Sequence, residues 1–170
     1  MKSKKFILRR VNLEDAKNLF EYQQESDTKK NFMSIPKSIK EVKKEIKSQI
    51  KENHLNKHKR TSDSFVIDVD GKAIGKIGVH DIVYGHKAIS SSWVAKPFRG
   101  KGIGTEAHKR LIKYVFKTYN LKRLQGNVRT FNKASAKMLE KAGYKLEGIL
   151  RKNKLKNGKF MDDMVYAIVK

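Results

Sequence analysis

The 170-residue chain carries 40 Lys and Arg against 17 Asp and Glu, a formal net charge of +23, and no cysteine. Without cysteine there is no disulfide framework, no thiolate metal site and no thiol to carry a covalent acyl group. No run of roughly 18 apolar residues exists to cross a membrane, and Phe6-Ile7-Leu8 is too short for a signal-peptide core, so the expected compartment is cytoplasmic. The length suits one domain over residues 1–170, large enough to bury a real core.

Phe6 to Arg10 reads as a strand. Asn12 is placed to cap a helix from Leu13 to about Glu25, with Asp15 in its first turn. Ser26 to Lys37, broken by Pro36, reads as a loop. Ser38-Ile39-Lys40-Glu41 has capping-box spacing. Behind it Ile39, Val42, Ile46 and Ile50 recur at helical intervals, which predicts an amphipathic helix to about His54 with a lysine-rich outer face. From Ser64 the pattern becomes strand-like. Phe65-Val66-Ile67 and Ala73 to Val83 are joined by Asp70-Gly71, a hairpin signal. Tyr84 to Lys87 turns into the strand Ala88 to Val94. A helix follows over Thr105 to Tyr119, with Ile103, Ala107, Leu111, Val115 and Phe116 on one face. Arg123 to Val128 is a strand, Asn132 caps a helix to Lys141, and Gly143 stops it. Tyr144 to Leu150 and Phe160 to Val169 form a last hairpin turning near Asn157-Gly158. The order β-α-α-β-β-β-α-β-α-β-β predicts an α/β fold with a mixed, mostly antiparallel sheet and helices on both faces.

The richest stretch is Arg99-Gly100-Lys101-Gly102-Ile103-Gly104, between a strand and a helix. Such a turn offers unpaired backbone N–H groups and the positive end of a helix to one anion, a phosphate or pyrophosphate. The P-loop spacing is absent. Gly100, Gly102 and Gly104 alternate, which does not fit the dinucleotide pattern either. What remains is Arg-x-x-Gly-x-Gly on Arg99, Gly102 and Gly104.

That loop resembles the acyl-CoA pyrophosphate loop of the GNAT superfamily of N-acetyltransferases. Trp93 to Phe98 before it, the Asn132-Lys133-Ala134-Ser135 helix start, the Lys141-Ala142-Gly143-Tyr144 terminator, Glu147 to Arg151 and Asp162 to Tyr166 extend the resemblance over nearly the whole chain. So do Leu8-Arg9-Arg10 and Leu13 to Ala16 near the start. It is closest to the branch of ribosomal-protein N-terminal acetyltransferases (RimJ/RimL type) and spermidine acetyltransferases. The resemblance implies the GNAT fold, acetyl-CoA as acyl donor, no metal, and direct transfer to a primary amine. It places acetyl-CoA on Arg99, Gly100, Lys101, Gly102, Ile103, Gly104 and Thr105, along the strand end Trp93, Val94 and Ala95, and against Asn132 and Ser135. It makes the Val94 N–H the oxyanion donor, and makes Ser26 to Lys37 a cover over the acceptor.

Acid and base stay open. Family members often carry a Tyr four residues before the terminating Gly; here Leu139 stands there, leaving Ser135 or water to protonate the thiolate. Relatives often carry a Glu on the fourth strand; here the stretch is Ser90-Ser91-Ser92-Trp93. His80, Asp81 and a water relayed through Ser92 are the candidate bases, and strand alternation lets only one of His80 and Asp81 face inward. Weak bases suit an α-amine, whose ordinary pKa is about 8, better than a lysine amine near 10.4. The favoured acceptor is therefore a peptide or protein N-terminus, with a small amine as the alternative. Asp162 and Asp163 are adjacent and form no metal pair, and the five histidines lack metal spacing. The positive charge, mostly scattered Lys, fits compositional drift better than an RNA or ribosomal partner, and a catalytically weak nucleic-acid- or ribosome-binding module is the reading of another class. The sequence leaves a monomer and a homodimer both open.

Overall fold

The computed structural model describes residues 5–170. Its elements are β1 (Ile7–Arg9), α1 (Ala16–Gln23), α2 (Ser26–Asn31), α3 (Ile39–His54), β2 (Ser62–Val69), β3 (Lys72–Val83) and β4 (Lys87–Val94). Then come α4 (Ile103–Tyr119), β5 (Arg123–Arg129), α5 (Lys133–Ala142), β6 (Lys145–Lys156) and β7 (Lys159–Val169). Short 3-10 turns occupy Leu13–Asp15 and Lys96–Phe98. The seven strands form one sheet in the order β1-β2-β3-β4-β5-β7-β6. All neighbours are antiparallel except β4 and β5.

Alternation along β2 divides the core. Ile67 and Val69 join a cluster with Ile74, Ile77 and the apolar faces of α4 and α5. Val66 turns to the other face and packs with Ala73, Leu19 of α1 and Val42 and Ile46 of α3. One strand thus feeds a core on each side of the sheet, as its period of two requires.

Local chemistry explains the element ends. Asn12 Oδ1 accepts the N–H groups of Glu14 (3.0 Å) and Asp15 (3.1 Å), and Asp15 Oδ2 accepts the Asn12 N–H in return (2.9 Å). Arg9 then ties Asp15 to Asp68 of β2 (2.7 Å), pinning the first strand to the sheet. The tight β2–β3 turn puts Asp70 (φ 53°) and Gly71 (φ 80°) in left-handed conformations, as a two-residue hairpin needs. Asn120 (φ 50°) and Gly143 (φ 105°) end α4 and α5 in the same region.

Three expectations are corrected. Leu13 to Glu25 is not one helix: a 3-10 turn precedes α1, which ends at Gln23. Ser26 to Asn31 is helical, not loop. The Ser38 capping box is half made. Ser38 Oγ accepts the Glu41 N–H (3.3 Å), but Glu41 Oε2 reaches past Ser38 to the Lys37 N–H (2.7 Å).

Buried Asp63, at the start of β2, joins distant elements. Its carboxylate pairs with Arg10 and Arg60 and accepts from Tyr114 (2.8 Å) and Tyr119 (2.5 Å) of α4. The network holds Arg10, β2 and α4 in one register.

Candidate functional site

The site begins where β4 leaves β5. The parallel ladder between them stops at Ser90 and Gly126, while β4 continues to pair with β3 as far as Val94. Beyond Ser90 the sheet therefore opens into a wedge. The Ala95 N–H donates to the Ile74 carbonyl of β3 (2.8 Å). Alternation then turns the Val94 N–H and C=O to the opposite side, into the wedge. The Val94 carbonyl is met there by Arg99 Nε (2.7 Å).

Two cavities meet in this wedge. One, of about 450 Å³, runs along Val94, Phe98, Gly100, Gly102, Gly104, Thr105 and Met138, with Lys137 and Lys141 at its edge. The other, of about 700 Å³, lies between α3 and the sheet and is lined by Gln23, Glu41, Glu45, Gln49, Lys76 and His80 among others. Asn31, Phe32, Ser92, Trp93, Asn132 and Ser135 line both. A group reaching through one cavity meets a group in the other at Ser92 and Trp93.

The glycine loop shapes the first cavity. Gly100 (φ 73°) and Gly102 (φ 77°) are left-handed, and Gly102 caps α4 without any side-chain hydrogen bond. The first-turn N–H groups of this 17-residue helix therefore remain open to a ligand. A Cβ on Gly104 would stand 3.5 Å from Met138 Cγ, within the groove wall. The residues fit an acyl-CoA: open N–H groups and Lys137 and Lys141 for phosphates, then Phe98, Ile103 and Met138 for the apolar arm.

A buried polar chain runs away from the junction. Ser92 Oγ lies 2.8 Å from His108 Nε2, His108 Nδ1 is 3.4 Å from the Tyr144 hydroxyl, Tyr144 donates to Ser90 Oγ (2.9 Å), and Ser90 donates to the Gln125 carbonyl (3.0 Å). Since Tyr144 spends its proton on Ser90, its oxygen accepts from His108 Nδ1–H. That leaves Nε2 as an acceptor for the Ser92 hydroxyl. Burial alone pushes His108 down to about 4, so the ring is neutral at physiological pH. Burial also raises Tyr144, keeping it protonated, although the Ser90 bond opposes this.

The expected residues divide clearly. Trp93, Val94, Arg99, Gly100, Gly102, Ile103, Gly104, Thr105, Asn132, Ser135 and Ser92 all line the paired cavities. Asn132 Oδ1 caps α5 at the Ser135 N–H (3.1 Å), while Nδ2 donates to Asn31 Oδ1 (3.0 Å), so it joins α5 to α2. The Arg99 side chain turns back onto Val94 and onto Thr28 Oγ1 of α2 (2.9 Å), acting as a clamp on the loop. Ala95, Lys101 and Asp81 are not brought to either cavity. Ala95 faces β3, and Lys101 Nζ folds onto the Pro97 carbonyl (2.6 Å). His80 and Asp81 do not take opposite faces. A bulge with Asp81 at φ 51° breaks the alternation, and both side chains are exposed and bonded to each other at 3.1 Å. Only His80 reaches the cavity rim. Asp163 is fully buried in an ion pair with Arg129, and Asp162 accepts the Lys152 N–H (2.8 Å).

Sequence reading missed His108, Gln23, Glu45 and Gln49. An imidazole on the apolar stripe of α4 is the signal for the first. The i, i+4, i+8 spacing of Glu41, Glu45 and Gln49 beside the α3 stripe is the signal for two others.

Residues 5–145 match the family described as Acetyltransferase (GNAT) domain. The chain is 37% identical over 102 residues to "Probable N-acetyltransferase YjcK" of Bacillus subtilis, a match covering 59% of this chain and 56% of that protein. In that match the chain spans about half the length of the relative. Its fold superposes on the Salmonella typhimurium acetyltransferase that modifies the N-terminal serine of ribosomal protein L7/L12 (TM-score 0.85, 18% identity, 100% and 98% of the two chains). It superposes also on the Vibrio cholerae spermidine N-acetyltransferase bound to CoA and spermine (TM-score 0.81, 22% identity, 96% and 95%). A seven-stranded, mostly antiparallel sheet parted between β4 and β5, a glycine loop feeding α4 and a family match over residues 5–145 place this chain in the GNAT acetyltransferase family.

Proposed function

We propose that the chain is an acetyl-CoA-dependent N-acetyltransferase that passes the acetyl group directly to a primary amine, with a peptide or protein N-terminal α-amine as the favoured acceptor. The observation that carries this reading is the parting of β4 and β5 beyond Ser90, because it opens the Val94 N–H to the glycine-loop cavity, one residue beyond Ser92 and Trp93 where the two cavities join.

Bound acetyl-CoA supplies a thioester carbon and a thiolate leaving group. The loop N–H groups and the start of α4 hold its phosphates. Val94 N–H donates to the carbonyl oxygen and strengthens that bond as negative charge grows on it, a contribution of roughly 3 to 4 kcal/mol. Ser92 directs the amine. Its own proton is given to His108 Nε2, so its free lone pairs accept an amine N–H and leave the nitrogen lone pair aimed at the thioester. The N–C bond forms, the C–S bond breaks, and the amine proton leaves through water to the departing thiolate. A histidine held near 4 cannot strip a lysine ammonium efficiently, whereas an α-amine is partly neutral already.

Glu41 and Glu45 in the acceptor cavity favour a second reading, a small polycationic amine. The test is thiol release from acetyl-CoA with N-terminal peptides and with spermidine, paired with mass analysis of the amine. One acetyl group gained per CoA released supports transfer. Thiol release without an acetylated amine contradicts it.

A further inference from the structure

Lys76 stands in the middle of β3, paired across the sheet with Val66 of β2 and Trp93 of β4. Both partners pack in the core beneath α1 and α3, so Lys76 projects from that same face. Among such neighbours a cation loses water, and burial pushes the Lys76 ammonium below its ordinary pKa. The charge of Glu45 on α3 opposes this from a distance. No hydrogen bond or ion pair reaches the ammonium among the described residues. It is unpartnered but not sealed, and its residue lines the 700 Å³ acceptor cavity.

The other charges around this cavity are placed differently. Glu41 and Glu45 lie one turn apart on α3. Arg129 is neutralised by buried Asp163, and His80 sits at the rim bonded to Asp81. Lys37 is exposed, just before α3. Lys76 is therefore the cation that the sheet itself presents to an acceptor. A desolvated cation without a partner is costly, and a bound anion would offset that cost.

The register says how far that anion stands from the reacting amine. Trp93 lies directly across from Lys76, with paired Cα atoms about 5 Å apart. Trp93 also marks the junction of the two cavities, one residue before Val94. An amine at the junction and an anion on Lys76 are thus a few bonds apart. One ammonium beside Glu41 and Glu45 suits a single negative charge, a carboxylate rather than a phosphate dianion.

We propose that Lys76 forms an anion subsite in the acceptor cavity, and that the acetylated amine belongs to a molecule carrying a carboxylate a few bonds from its nitrogen. This rests on the acetyl-transfer reading above. The carboxylate is that of a free amino acid or the side chain of an acidic first residue of a peptide, and the ammonium binds either. A polyamine would set a second ammonium against Lys76 and is repelled.

The experiment measures kcat/KM at saturating acetyl-CoA for asparaginamide, which has no carboxylate, for aspartic acid α-amide and for free asparagine. It uses wild type, Lys76→Met and Lys76→Arg, with acetyl-CoA affinity measured on each. In wild type at least one of the two carboxylates should outrun asparaginamide by about tenfold. Asparagine ahead identifies a free amino acid, and the aspartic amide ahead identifies an acidic N-terminal residue. Lys76→Met should abolish the preference and Lys76→Arg should keep most of it, with acetyl-CoA affinity unchanged because Lys76 does not line the glycine-loop cavity. The differing basicity of the amines cancels in the comparison between proteins. Asparaginamide matching or exceeding both carboxylates in wild type, which needs no variant to fold, overturns the subsite while leaving acetyl transfer standing. So does a preference that survives in Lys76→Met. Acetyl-CoA binding with none of the three amines acetylated overturns the transfer reading and this proposal with it.

Discussion

The Ser92 hydroxyl, at the meeting point of the two cavities, lies 2.8 Å from Nε2 of His108, a ring only 1% exposed. The bond fixes which way the serine points its proton and therefore which way it points its lone pairs. His108→Leu removes the acceptor and should lower kcat by about 100-fold with acetyl-CoA affinity unchanged. His108→Gln, whose carbonyl can still accept from Ser92, should recover much of that loss. Steady-state kinetics and calorimetry on both variants check this; equal losses in the two would assign His108 a packing role alone.

Burial of the same ring couples stability to pH. The folded-state pKa is about 4 against an ordinary 6.5, so between these values the unfolded chain binds a proton that the folded chain refuses. Stability therefore falls as pH drops from 6.5 toward 4 and this contribution levels off below. The term is up to about 3 kcal/mol. Urea midpoints between pH 4 and 7 should decline more steeply in wild type than in His108→Gln.

Asp63→Ala should destabilise the fold by about 3 kcal/mol, the low end for breaking a buried ion pair because Arg10 keeps partial access to water. It strands the Arg10 and Arg60 guanidiniums and the Tyr114 and Tyr119 hydroxyls together. Denaturant unfolding reads the loss directly.

Gly102 and Gly143 both hold positive φ with open space where a Cβ would stand. Alanine at either should cost about 1 kcal/mol of stability. Only Gly102→Ala should weaken acetyl-CoA binding, by about tenfold, because only Gly102 lines the groove. Thermal melts with calorimetry separate the two effects.

The sheet and the glycine loop were legible because their signals are local. Asp70-Gly71 dictates its hairpin, Asn132 its cap, and the stripe from Ile103 to Phe116 its helix. α2 was not, since Ser26 to Asn31 has no apolar period. It is held from outside, by Arg99 on Thr28, by the Lys96 N–H on Glu25 (3.0 Å) and by Lys156 Nζ on the Lys29 carbonyl (2.6 Å). β6 extends to Lys156 through a basic run without alternation because it pairs with β7 along one edge and is exposed otherwise. The polar chain from Ser92 to Gln125 arises from contacts between remote segments. Composition and spacing carry no trace of such distances.

The central claim is that the Gly102 loop and the parted strands hold acetyl-CoA. Isothermal titration of acetyl-CoA into wild type and Gly102→Glu at physiological salt tests it most directly. The account predicts micromolar binding in wild type, lost when a carboxylate is set among the N–H groups meant for phosphate. Absent binding in wild type, or equal binding in both, would contradict it.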